Sequence, residues 1–166
     1  MKIIAYPFTS IYESTIGKVV IKATATHIHE VYFTEETGIM RYVENDLTKE
    51  VKSWLSDYFK GNFIQTSFPI ALNGTDFQLQ VWEKVMEIPP GNTASYSEIA
   101  TLLGADNLSR AVGKANGENK LAIIIPCHRV IATTGALTGY RWGLKKKAWL
   151  IDFEAQITGK KLSLFI

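Results

Sequence analysis

In the first half of the chain, apolar residues cluster or alternate with polar ones in two stretches. They are Val19-Val20-Ile21-Lys22-Ala23-Thr24 and His27-Ile28-His29-Glu30-Val31-Tyr32-Phe33. Both predict strands, and a short turn near Ala25-Thr26 would pair them as a hairpin. The period then changes. Between Asp46 and Phe59, the residues Leu47, Val51, Trp54, Leu55 and Tyr58 fall on one helical face, and Gly61-Asn62 stops that helix. Pro69-Ile70-Ala71-Leu72 predicts a last short strand, and Asn73-Gly74 a turn into a second unit.

The second half opens on Thr75-Asp76-Phe77-Gln78, a capping box with Thr75 as N-cap. Phe77, Val81, Trp82, Val85 and Met86 follow at helical spacing until Pro89-Pro90-Gly91. Ser95-Tyr96-Ser97-Glu98 is a second capping box, opening a helix with Ile99, Leu102 and Leu103 inward, which Gly104 breaks. After Asp106-Asn107, the positions Leu108, Ala111, Val112 and Ala115 mark another helix. Two short helices joined by a four-residue, Gly-containing turn predict a helix-turn-helix. The second helix is small on one side, with Ala111, Gly113, Ala115 and Gly117. Glycine costs a helix about 1 kcal/mol against alanine. Either the backbone approaches something narrow, such as a minor groove, or it packs tightly on a neighbouring helix.

With 166 residues, 46% hydrophobic and 20% charged, the chain can bury a core in one or two small domains. Disorder and coiled coil are excluded. The longest aliphatic run, Leu121 to Ile125, is far short of a bilayer span, and no membrane role is expected. The first residues lack the apolar stretch of a signal peptide. A single cysteine excludes an intramolecular disulfide and points to a reducing, cytoplasmic setting. Residues 1–75 hold seven Lys/Arg against eight Asp/Glu, and residues 76–166 eleven against eight. The basic excess, clustered at Arg141, Lys145, Lys146 and Lys147, permits nucleic-acid binding but equally suits a solvated helix face.

The cysteine lies in Ile123-Ile124-Ile125-Pro126-Cys127-His128-Arg129-Val130-Ile131. Pro126 is expected to end a strand and place the Cys127 thiol at a turn. His128 and Arg129 supply a base and a cation able to depress the thiol pKa. Glu154, on the last helix, is the candidate to orient the imidazole, completing a Cys-His-Glu relay with room for a water to carry the proton.

Ile-Pro-Cys-His-Arg-Val at 125–130 resembles the reactive motif of the O6-alkylguanine-DNA alkyltransferases, the methylated-DNA–protein-cysteine methyltransferases. The family's order and spacing recur in Gly74-Thr75-x-Phe77-Gln78-x-x-Val81-Trp82, Ile88-Pro89-x-Gly91-x-Thr93-x-Ser95-Tyr96, Arg110-Ala111-Val112-Gly113 and Gly139-Tyr140. The resemblance covers about residues 74–155. Residues 119–127 and Tyr140-Arg141-Trp142-Gly143 look most like the bacterial adaptive-response (Ada-type) branch. Lys120 stands where family members often have proline, and a second common proline is absent from Gly104-Ala105-Asp106-Asn107.

The resemblance implies an α/β N-terminal domain, ribonuclease-H-like, over residues 1–73. A mostly α domain with a winged helix-turn-helix would follow over 74–166, for DNA binding and alkyl transfer. It implies single-turnover repair of O6-alkylguanine in double-stranded DNA, bound through the minor groove, with O4-alkylthymine a second candidate. Cys127 would be the nucleophile, His128 the base, Glu154 its orienting carboxylate and Tyr96 the proton donor. Asn119 would support the site by bridging the helix end to the active-site strand. Arg110 would fill the stack left by the flipped base. Gln78, Ser97, Ala111, Gly113, Ala115 and Thr133 would contact DNA, and Pro126, Val130, Tyr140, Arg141 and Trp142 would line the base pocket. No cofactor, metal or obligate protein partner is implied, and a monomer is expected. The zinc site of some relatives needs N-terminal cysteines this chain lacks, and His27 and His29 read as surface strand residues. Two other classes fit parts of the pattern. They are a non-catalytic DNA-binding module, against which an intact Cys127 argues, and a Cys-His hydrolase, which would not need Arg110.

Overall fold

The computed structural model describes residues 6–36 and 42–160, and the chain divides into two compact units at Leu72/Asn73.

In the first unit, strands β1 (Phe8–Ser14), β2 (Gly17–Ala23) and β3 (Ile28–Thr34) form an antiparallel sheet in the order β1-β2-β3. Helix α1 (Asp46–Phe59) packs on it. Central β2 is buried along Val19, Val20 and Ile21, which no single amphipathic face could achieve. The β2–β3 hairpin expected from the sequence is present, with a register shift at Lys22/Ala23. Its turn is held by Thr24, whose N–H donates to His27 O and whose Oγ1 accepts from His27 N. Sequence patterning missed β1. Its one fully buried position is Ser10, so the inward face carries a polar residue and apolar-polar alternation is lost.

Helix α1 begins where the periodicity put it, at a capping box of Asn45 and Thr48. Val51, Leu55 and Tyr58 are buried, while Trp54 is only half-buried and donates through Nε1 to Ile64 O (2.9 Å). The strand expected at Pro69–Leu72 reduces to one parallel bridge, Ile28 to Ile70, held by Ile28 N→Pro69 O and Ala71 N→Ile28 O. Pro69 has no N–H with which to extend the ladder.

The second unit is mainly helical: α2 (Asp76–Met86), α3 (Tyr96–Leu102), α4 (Ser109–Gly117) and α5 (Leu144–Thr158). Parallel strands β4 (Ala94–Ser95) and β5 (Val130–Ile131) join its middle. Both capping boxes form, Thr75 with Gln78 and Ser95 with Glu98. Trp82 Nε1 donates to Ala115 O (2.9 Å), pinning α2 to α4. The turn between α3 and α4 spans residues 103–108 and is longer than the four residues expected. Gly104 at φ 67° starts it, and Thr101 Oγ1 bonds Asp106 across it.

The segment before Cys127 is no strand. Residues 121–125 form a buried tight turn in which Ile125 N donates to Leu121 O (2.9 Å) and Ile123 takes φ 68°. A β-branched residue there is strained, at a cost of about 1–3 kcal/mol.

Candidate active site

The reactive segment is shaped by Pro126. Cys127 N donates back to Ile125 O (2.7 Å), and Arg129 N to Pro126 O (2.9 Å), winding Cys127–Arg129 into one 3-10 turn. This turn points Cys127 inward, where its side chain is almost fully buried. Asn119 holds it from the other side. Its Nδ2 reaches Cys127 Sγ (3.1 Å) and Ile125 O (2.9 Å), while its Oδ1 accepts from Leu121 N (2.8 Å). At the end of α4, Asn116 Nδ2 donates to Cys127 O (3.1 Å).

Behind the thiol, His128 Nε2 bonds Glu154 Oε1 (2.8 Å). With an ionised carboxylate there, Nε2 carries the proton and Nδ1 is left as the basic nitrogen. Glu154 is also gripped by Arg129, Nε on Oε2 and Nη2 on Oε1 (both 2.9 Å), and by Gly91 N (3.1 Å). Burial alone would raise the Glu154 carboxyl, but His128 and Arg129 outweigh it and hold it well below the usual carboxylate range. Burial pushes His128 down, keeping the imidazole neutral at rest. Gly91 is required for this grip. It takes φ 74°, and a Cβ there would lie 2.0 Å from Thr158 Oγ1 on α5.

Arg129 therefore does not serve the thiol as the sequence suggested. Its fork is spent on Glu154, and Nη1 donates to Ile88 O (2.5 Å). The thiol is not depressed either. Burial pushes Cys127 up to about 11, against the Asn119 hydrogen bond and the charge of Lys147.

Lys147 belongs to the basic cluster that the sequence left open between nucleic-acid binding and a solvated helix face, yet it is completely buried. Its Nζ donates to Val130 O (2.7 Å), Thr138 O (2.8 Å) and Gly139 O (3.3 Å), and lies 3.5 Å from the Tyr96 hydroxyl. Burial lowers it to about 8. Tyr96, in the first turn of α3, donates to Thr138 O (3.1 Å), and burial raises its phenol. Among the described residues, no group of three or more His, Cys, Asp or Glu is placed to hold a metal ion, and no helix is long and apolar enough to cross a membrane.

A family profile described as the DNA-binding domain of 6-O-methylguanine DNA methyltransferase matches residues 76–156. A probable methylated-DNA–protein-cysteine methyltransferase of Acanthamoeba polyphaga mimivirus is 43% identical over 151 residues, covering 89% of this chain and 97% of that one. The chain belongs to the methylated-DNA–protein-cysteine methyltransferase family. The regulatory protein ada of Salmonella typhimurium is 51% identical over 90 residues, which is 54% of this chain and 26% of that protein. The crystal structure of Mycobacterium tuberculosis OGT in complex with DNA superposes with a TM-score of 0.81 at 36% identity, covering 90% of this chain and 94% of that one.

For this methyltransferase, the structure brings Cys127, His128, Glu154 and Asn119 into one buried cluster, with Tyr96 joined to it through Lys147. Tyr140 belongs there too. Its hydroxyl is buried and its phenol is raised well above the ordinary value by burial and by the charges of Cys127 and Glu154. Trp142 packs edge-on against the Tyr140 ring, Pro126 and Val130 are buried, and Arg141 is exposed. Ser97 Oγ and Thr133 Oγ1 form an exposed pair at 3.0 Å. Arg110 is exposed in the first turn of α4, with no ion pair or hydrogen bond among the described residues. Ala111 and Gly113 are half-buried beside it. Ala115, expected on the same surface, faces the interior with its carbonyl engaged by Trp82. Gln78 is tied to its own cap and to Glu118. Lys147 is the functional residue that sequence reasoning missed, because three consecutive lysines look solvated whichever of them turns inward.

Proposed function

We propose that this protein repairs O6-alkylguanine in double-stranded DNA by moving the alkyl group to Cys127, once per molecule. The observation that carries this is the contact of Asn119 Nδ2 with Cys127 Sγ in front of a His128–Glu154 pair. The thiol proton passes to His128 Nδ1, and the sulfur electron pair attacks the alkyl carbon. The carbon–O6 bond breaks and its electrons stay on the guanine, which takes a proton at N3 from Tyr96. The imidazolium is stabilised by Glu154, and the Tyr96 phenolate by nearby Lys147, until solvent restores both. The thioether product is a poor leaving group, so no step regenerates the thiol.

Helices α3 and α4 serve as a helix-turn-helix, and the tight loop closed by Ala132 N→Ala136 O (3.1 Å) serves as its wing. The first unit, three antiparallel strands and a helix, is read as a ribonuclease-H-like domain. Docking is through the minor groove, with Ala111 and Gly113 allowing close approach. A Cβ on Gly113 would lie 3.6 Å from Tyr96, an ordinary contact, so packing among the described residues does not account for that glycine. Arg110 occupies the gap left when the base turns out, which costs a few kcal/mol of stacking. The protein works as a cytoplasmic monomer, since a lone thiol nucleophile needs a reducing compartment.

With O6-methylguanine duplex in excess, guanine restored should plateau at one equivalent per protein. Continued turnover would indicate a hydrolase, and no restoration a non-catalytic reader.

A further inference from the structure

Asn116, in the last turn of α4, is a costly residue for its place. It is almost fully buried, and its Oδ1 has no hydrogen-bond partner among the described residues. An orphaned buried acceptor costs more than an apolar group of the same shape, and asparagine is a weaker helix former than leucine. What Asn116 gains is the bond from its Nδ2 to Cys127 O (3.1 Å). The carbonyl does not need that donor for its own satisfaction, because Val130 N–H already bonds it in closing the 3-10 turn. The remaining use of the bond is mechanical. It ties α4 to the reactive turn.

We propose that Asn116 is a positioning residue that couples the docking helix to the backbone of the nucleophile. It rests on the reading of α4 as the helix that docks on DNA and of Cys127 as the alkyl acceptor. The strut starts from a fixed point, since the carbonyl of the preceding Ala115 is held to α2 by Trp82 Nε1 (2.9 Å). It ends on the peptide between Cys127 and His128. That unit is planar, so holding its oxygen fixes the Cα atoms of both residues. Val130 N–H sets the carbonyl within its own turn, and Asn116 sets it against α4. Asn119 does something different: it lies beyond the helix and grips Sγ and Ile125 O. When α4 seats on the duplex, the extruded base takes its place relative to that helix. Through Asn116 the Cys127 backbone takes its place from the same helix, so sulfur and alkyl carbon share one reference. A misplacement of about 1 Å between reacting groups can cost about 100-fold in rate. Asn116 moves no proton and touches no substrate.

Asn116→Leu removes the donor and the orphan together at nearly constant shape, so its melting temperature should equal or exceed that of the wild type. Methyl transfer from saturating O6-methylguanine duplex should slow at least tenfold. Affinity for that duplex, measured in the Cys127→Ser background, should be unchanged, because no docking residue is touched. Free O6-methylguanine base finds its place in the pocket without α4 and should react at the wild-type rate. Iodoacetamide, which reads the thiol alone because Cys127 is the only cysteine, should do the same. Asn116→Ala, whose smaller side chain fits wherever asparagine did, should show the same split between duplex and free base. Wild-type transfer from duplex by either variant would overturn the proposal. So would equal losses on duplex and free base, or an equal loss with iodoacetamide, since Asn116 would then support the thiol without coupling it to docking. A repairing wild type whose variants lack the split fails this inference alone. A wild type that takes no methyl from the duplex fails the functional reading, and the coupling with it.

Discussion

Asn119 Nδ2 lies 3.1 Å from Cys127 Sγ and 2.9 Å from Ile125 O, so one amide both orients the nucleophile and closes the turn that carries it. The coupling of these two jobs has consequences on each side of the reaction. Before transfer, Asn119→Ala removes the hydrogen bond that favours thiolate. A hydrogen bond to a charged group is worth about 1.5–3 kcal/mol, so the single-turnover rate should fall roughly 10- to 100-fold. After transfer, a methyl group on Sγ crowds the same amide. Overpacking costs about 1–3 kcal/mol, so the alkylated protein should melt lower and exchange amide hydrogens faster over residues 108–119. An unchanged melting point and exchange pattern would contradict this.

Lys147 supplies the cation that the adjacent Arg129 does not. Lys147→Met removes the charge that lowers Cys127 and leaves the carbonyls of Val130, Thr138 and Gly139 without their donor. Iodoacetamide alkylation at pH 7, where Lys147 is still charged, should slow by about tenfold, the effect of one pKa unit. Lys147→Arg should recover little, since a planar fork cannot repeat the three-carbonyl cradle.

How far these roles were legible depended on whether the signal was local. The capping boxes at Thr75 and Ser95 and the helix over Asp46–Phe59 are written in consecutive residues. The destination of Arg129 was not, because Ile88 and Glu154 lie 41 and 25 positions away. Lys147 was hidden in a run of like charges, and β1 by a serine at its inward position. The turn at Ile123 was hidden because an aliphatic run gives no sign of a left-handed residue.

Glu154 links acid stability to the site. A carboxyl held below its ordinary 4.5 contributes stability that is complete above that value and is lost as pH falls beneath it. Glu154→Gln leaves Arg129 buried without its partner. Breaking a buried pair in this way costs about 3–5 kcal/mol, which urea unfolding at pH 7 should show. The gap between variant and wild type should narrow as the pH drops below 4.5. A gap independent of pH would contradict the ionised assignment.

Arg110 has no ion pair or hydrogen bond to lose among the described residues. Arg110→Ala should leave thermal stability within about 0.5 kcal/mol, as for other exposed substitutions. It should slow repair of duplex DNA far more than reaction with free O6-alkylguanine base, which needs no flipping. Equal losses on both substrates would remove Arg110 from the stack.

The central claim is that Cys127 itself accepts the alkyl group. Intact mass of the protein, measured after incubation with an equimolar O6-methylguanine duplex and followed by peptide mapping, tests it most directly. The expected result is a gain of one methyl group, located on the peptide that contains Cys127 and absent from Cys127→Ser. An unmodified mass with the duplex still methylated, or a methyl group on any other residue, would contradict it.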